Sequence, residues 1–158
     1  DAAGLALDRM GMGVAFAGLL GLMAACQVSA RAGAGLALAI LVAAPTGALV
    51  AWMHGNVLPW AGVQFGGIGL ALALACRQPR PGALPVRWAW VLAAYAVAKM
   101  FEMGDHVVFE ATGAWFGGHA LKHVAAACAA VPVLLALRSR QNQPTLPPGT
   151  LAAPAGRA

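Results

Sequence analysis

Charge is scarce in this sequence: ten Lys plus Arg and five Asp plus Glu occur in 158 residues, 9% of the chain, where an ordinary soluble domain carries about 25%. With 61% hydrophobic residues and a mean hydropathy of +0.75, a water-soluble fold has too little polar surface to cover its apolar one. Cysteine is sparse as well. Cys26, Cys76 and Cys128 lie inside apolar runs, with neither the paired spacing of a zinc ribbon nor the even count of a secreted disulfide framework, and so read as small packing residues. No Gly-rich phosphate loop follows a strand pattern, and no internal repeat is evident. No basic stretch with a short apolar core and cleavage site precedes the first hydrophobic run, and the chain opens on Asp1 instead of Met, so further sequence upstream is expected.

What is there is a series of long apolar runs with the few charges between them, the charge distribution of a polytopic helical membrane protein. The net charge of +5 then concerns membrane orientation, and no nucleic-acid partner is expected. With about 20 apolar residues needed per crossing, five spanning helices are expected: Gly11 to Val28, Gly33 to Met53, Leu58 to Cys76, Trp88 to Glu110 and Gly118 to Leu137. The fold class is therefore all-α, an integral membrane bundle over residues 1–138, with short connections and antiparallel neighbours. Stretches such as Ala32-Gly33-Ala34-Gly35 and Gly66-Gly67-Ile68-Gly69 suit close approach of helices in lipid. Pro45 is expected to kink the second helix. Trp52, Trp60, Trp88, Trp90 and Trp115 fall near helix ends, as in an interfacial aromatic belt or as core packing. Residues 139–158, with Gln-Asn-Gln and four prolines in the polar tail, lack the apolar area to offset ordering entropy and are expected to be a disordered tail.

Positive charge is unevenly divided between alternate sides. Arg31, Arg77, Arg80, Arg87, Arg138, Arg140 and Arg157 share one side, whereas only Arg9 lies outside the helices on the other. The first side is expected to be cytoplasmic, with the C-terminus. Asp8, His54, Asp105, His106, His119 and His123 then fall together on the opposite side, at similar membrane depth.

The sharpest local signal is Gly118-His119-Ala120-Leu121-Lys122-His123, because residues four apart on a helix share a face about 6 Å apart along the axis. Two imidazoles so placed make half of a metal site, since a catalytic zinc takes three protein ligands and a water. A haem-protein feature, packing or an interfacial position explains the same spacing. On the fourth helix Lys99, Glu102 and Asp105 recur at three-residue intervals, with His106 four after Glu102. Such groups are costly in hydrocarbon unless they pair or line a wet cavity, so they should face the interior. A Lys99–Glu102 ion pair that fixes packing is at least as good a reading as catalysis. Asp105 is placed to hydrogen-bond a ligating imidazole, and Glu110 reads as an interfacial charge. Asp8 is expected to open the first helix, where the helix dipole favours a carboxylate; its functional reading is an acid or base toward a metal-bound water. His54 in a Gly-Asn loop and Gln64 have weaker claims, and Lys122 is expected to snorkel to the interface.

The order of these pieces resembles bacterial members of the alkaline ceramidase-like membrane hydrolases, part of the CREST superfamily with the adiponectin receptors. The likeness rests on Asp8-Arg9-Met10-Gly11-Met12, on Leu58-Pro59-Trp60-Ala61-Gly62-Val63-Gln64-Phe65, and on Tyr95-Ala96-Val97-Ala98-Lys99 through Glu102 and Asp105 to the His119 and His123 pair. The resemblance implies a seven-helix bundle of which these would be the last five helices. It implies a zinc cofactor held by three histidines, with His119 and His123 as the terminal pair, Asp8 as the site aspartate, and an amide bond of a ceramide-like membrane lipid as substrate. It also implies a bacterial inner-membrane location. The family's upstream serine and first histidine have no counterpart here, Gly11 stands where proline is expected, and Gly117 and Ala120 replace the Ser and Thr that often flank the first histidine of the pair. A receptor or scaffold on the same bundle, and a haem or proton-handling protein using His119, His123 and the Lys99 to Asp105 face, are the alternative functions. Oligomeric state is not legible.

Overall fold

A computed structural model describes residues 2–142, which are helical throughout their regular elements and contain no strand. The chain divides into two compact units, Asp1–Ala83 and Leu84–Ala158. Four helical segments are long and apolar enough to cross a membrane, Ala2–Gln27, Ala30–His54, Leu58–Ala75 and Gly118–Gln141, so the chain is an integral membrane protein of the all-α class.

The first unit is built from α1 (Ala2–Gln27), α2 (Ala30–His54) and α3 (Leu58–Ala75). A two-residue link joins α1 to α2, and Ser29 starts α2 by accepting the Ala32 N–H at 3.0 Å, one of the donors a helix start leaves unmatched. Small residues then let the two helices close on each other, as expected where packing and not water exclusion drives association. A Cβ on Gly21 would lie 2.8 Å from that of Ala37, and one on Gly13 would lie 2.6 Å from that of Ala44. Leu20 and Met23 are fully buried, and Ala44, Ala48 and Trp60 form a core cluster flanked by Met10, Met12, Ile40 and Val63. Trp60 therefore belongs to the core, because Gly47 lets the start of α3 approach within 2.9 Å of where a Cβ would stand. α2 passes through Pro45 without interruption and ends at His54, with Gly55 in the left-handed conformation (φ 68°) after it. The loop after α3 returns to α1, where the Arg80 N–H donates to the Cys26 carbonyl at 2.9 Å and its guanidinium to that of Ala25 at 3.4 Å. Those are carbonyls that the end of α1 leaves unmatched.

The second unit contains α4 (Trp88–Met103), α5 (Asp105–Ala111), α6 (Gly118–Cys128) and α7 (Val131–Gln141). The expected fourth span is thus two helices, interrupted at Gly104. At about 1.5 Å per residue, the 16 residues of α4 cover about 24 Å, less than the roughly 30 Å of a hydrocarbon core. Five expected spans become four candidate ones for this reason. The expected fifth helix is a 24-residue apolar segment with a tight turn at residues 129–130, where Ala129 and Ala130 donate to carbonyls three residues back before Val131 starts α7, with Pro132 in its first turn. α7 extends to Gln141, over the first residues expected in the tail; residues 143–158, including Arg157, lie outside the described residues. Trp88 is buried at the base of α4, unlike Trp52, Trp90 and Trp115, which are exposed.

Candidate functional site

α6 carries the His pair, and its position is set by the residues that begin it. Gly117 is the N-cap residue and provides no side chain to cap the helix. The Asp105 carboxylate takes over that task, accepting the His119 backbone N–H at 2.8 Å. Asp105 was expected to reach an imidazole; it serves the backbone because the first turn of a helix has N–H groups without partners and a partial positive charge. Gly118 is buried against α4 and α5, where a Cβ would come within 2.7 Å of the Asp105 Cα, so only glycine permits this approach. The loop before it turns through Gly113 (φ 64°) and Ala114 (φ 66°). Thr112 braces that loop: its hydroxyl accepts the Phe116 N–H at 3.2 Å and lies 2.8 Å from the Phe116 carbonyl.

From this start, His119 and His123 project one turn apart. Their rings meet edge to face, with centroids 4.9 Å apart and planes at 77°, and the two Nε2 atoms are 3.3 Å apart. Two nitrogens about 2.0–2.1 Å from a zinc ion at a tetrahedral angle are themselves about 3.3 Å apart. The donor pair therefore fits adjacent corners of a tetrahedral divalent site, and both side chains are exposed and able to receive an ion.

Beneath the pair, three charges tie α6 to α4. Lys99 and Glu102 form an ion pair within α4, and the other Glu102 oxygen lies 3.9 Å from the Lys122 ammonium. The Lys122 side chain is 4% exposed, against 27% for Lys99 and 34% for Glu102. Lys122 was expected to snorkel outward, but its position on α6 directs it toward α4, where Glu102 offsets the cost of burying an ammonium. Lys99 and Glu102 thus form the ion pair on which the packing reading rests.

The remaining expected residues are each placed by their own helix. His106 and Glu110 pair with each other on α5 at 3.5 Å, with side chains 85% and 70% exposed, consistent with an interfacial position. His54 is the last residue of α2 instead of a loop residue, a place where the helix dipole favours positive charge. Gln64 lies half-buried in α3. Asp8 lies in the second turn of α1, since that helix begins at Ala2 and has no acidic residue in its first turn. The dipole reading of Asp8 therefore loses its basis. Thr112 carries no signal in the sequence; for the close approach at Gly118, the Gly117-Gly118 doublet directly before His119 is the available one.

No family model, curated protein or solved structure matches this chain.

Proposed function

We propose that this protein is a zinc-dependent membrane hydrolase that cleaves the amide bond of a lipid, ceramide or a related N-acyl lipid, as the resemblance to the alkaline ceramidases implies. The observation that supports this reading is the 3.3 Å separation of the His119 and His123 Nε2 atoms in an integral membrane protein. A bound zinc ion supplies Lewis acidity toward water and toward a carbonyl oxygen at neutral pH. The chain's own residues hold and orient it. His119 and His123 present their Nε2 atoms, Asp105 fixes the backbone that carries His119, and the Lys99, Glu102 and Lys122 network keeps α6 on α4. Asp8, by the resemblance, accepts a proton from the attacking water and returns it to the leaving amine, a role open to a carboxylate. A further histidine completes the ligand set in the family pattern and has no counterpart in this sequence. The excess of arginine on one side orients the C-terminus to the cytoplasm, here taken as that of a bacterial inner membrane.

A bis-histidine haem is less well supported, because it needs imidazoles on opposite faces of one plane. His119 and His123 share one face of one helix.

Residues 1–158 alone, without that further histidine, are expected to bind zinc weakly and to be inactive; the test is release of fatty acid from a ceramide in mixed micelles by the full-length protein purified from membranes. Release is expected to stop with a chelator, to return with zinc, and to be absent in His119→Ala. Zinc bound without release would favour the receptor or scaffold, and release that persists in His119→Ala would sink the mechanism.

A further inference from the structure

We propose that the second unit holds a separate ligand site, for an anionic phospholipid, in the groove between α4 and the α6–α7 segment. The inference does not rest on the metal reading. The groove has a volume of about 1310 Å³, above the roughly 300–1,000 Å³ of small-molecule pockets. Its walls are apolar, formed by residues such as Ala94, Val97 and Phe101 of α4 and Val124, Ala125 and Leu135 across from them. On α6 the lining positions Leu121, Val124, Ala125 and Cys128 recur at helical spacing. His119 and His123 each stand two residues from Leu121, a rotation of about 200° at 100° per residue, and so occupy the far side of the helix. The groove is therefore distinct from the histidine pair.

Polar character is confined to one end. There Arg87 and Ser139 line the groove, and no acidic residue lines it. Arg87 is also the N-cap residue of α4, which has no side-chain cap, so the helix start adds partial positive charge to that of the guanidinium. Arg138 and Arg140 lie in the last turn of α7 beside Ser139. The Arg87 guanidinium at one end of an apolar groove between membrane helices matches an anionic lipid headgroup with its chain attached. The dimensions agree. From Arg87 to Phe101 the helix rises about 21 Å, enough to accompany an acyl chain through one leaflet, half of a roughly 30 Å hydrocarbon core. A neutral lipid would leave the arginine end unused, and a free phosphate would leave the apolar walls unused.

The experiment is lipid retention measured by native mass spectrometry on the protein in dodecyl maltoside micelles. Phosphatidylglycerol or phosphatidylcholine with identical chains is supplied. Phosphatidylglycerol is expected to be retained about fivefold better, the factor given by one basic residue near an anionic headgroup. The ratio should fall to about one in Arg87→Gln and persist in Arg87→Lys, and Ala94→Trp, which fills the groove, should lower retention of both lipids. Should Arg87→Gln lose its helical circular dichroism, Ser139→Asp replaces it, placing negative charge at the same end with the same expected loss. Equal retention of the two lipids by the unaltered protein, or a preference that survives Arg87→Gln or Ser139→Asp, overturns the proposal.

Discussion

Replacing Glu102 by Ala removes a carboxylate that pairs with both Lys99 and Lys122. The Lys122 side chain is 4% exposed, so its ammonium cannot recover hydration without α6 moving off α4. Removing one partner of a buried pair costs about 3–5 kcal/mol, mostly through the charge left behind. Glu102 is itself one-third exposed, which places the expected loss near the lower end, about 3 kcal/mol, or about two orders of magnitude in the folding equilibrium. Lys122→Met tests the cause. It deletes the buried charge, keeps a long unbranched side chain, and leaves Glu102 paired with Lys99, so its expected cost is below about 1.5 kcal/mol. The double variant should recover most of the loss. Helical circular dichroism, followed as sodium dodecyl sulfate is titrated into dodecyl maltoside micelles, measures all three. A Lys122→Met variant as unstable as Glu102→Ala would refute the reasoning, because the loss would then come from packing and not from the buried charge losing its Glu102 carboxylate.

Three further outcomes follow from the same geometry. Asp105→Ala should cost about 1 kcal/mol through loss of the cap on α6 and speed hydrogen exchange at the His119 amide, while Asp105→Asn, which keeps an acceptor, should lose less. Gly118→Ala should destabilise by about 1–3 kcal/mol in the same titration, since its methyl group would meet the Phe101 carbonyl and the Asp105 backbone. Ala114→Gly should raise stability by up to about 1 kcal/mol, because Ala114 holds φ at 66°, where an L side chain is strained.

Hydropathy alone located α1, α2 and α3 to within a few residues at their C-terminal ends, because each is a long apolar run bounded by turn-forming residues. It placed the start of α1 later than the structure does, and Asp8 with it, because Asp8 and Arg9 read as a boundary although the helix already runs from Ala2. The fourth span was missed as two helices because the break at Gly104 comes from one flexible residue inside an otherwise continuous pattern. Lys122 shows the limit most clearly. A lone lysine between two histidines reads as a surface charge, whereas its buried ammonium lies beside Glu102, twenty positions earlier and on another helix. The spacing of His119 and His123 was legible because it is local to one helix, whereas the service Asp105 renders to His119 depends on how α5 returns to the start of α6.

The central claim is that His119 and His123 hold a metal ion. Zinc content per chain, measured by inductively coupled plasma mass spectrometry on the full-length protein purified from membranes, tests it most directly. The account predicts about one zinc per chain, lost in His119→Ala and in His123→Ala while helical circular dichroism is unchanged. Protein without zinc, or with zinc retained in both variants, would contradict it.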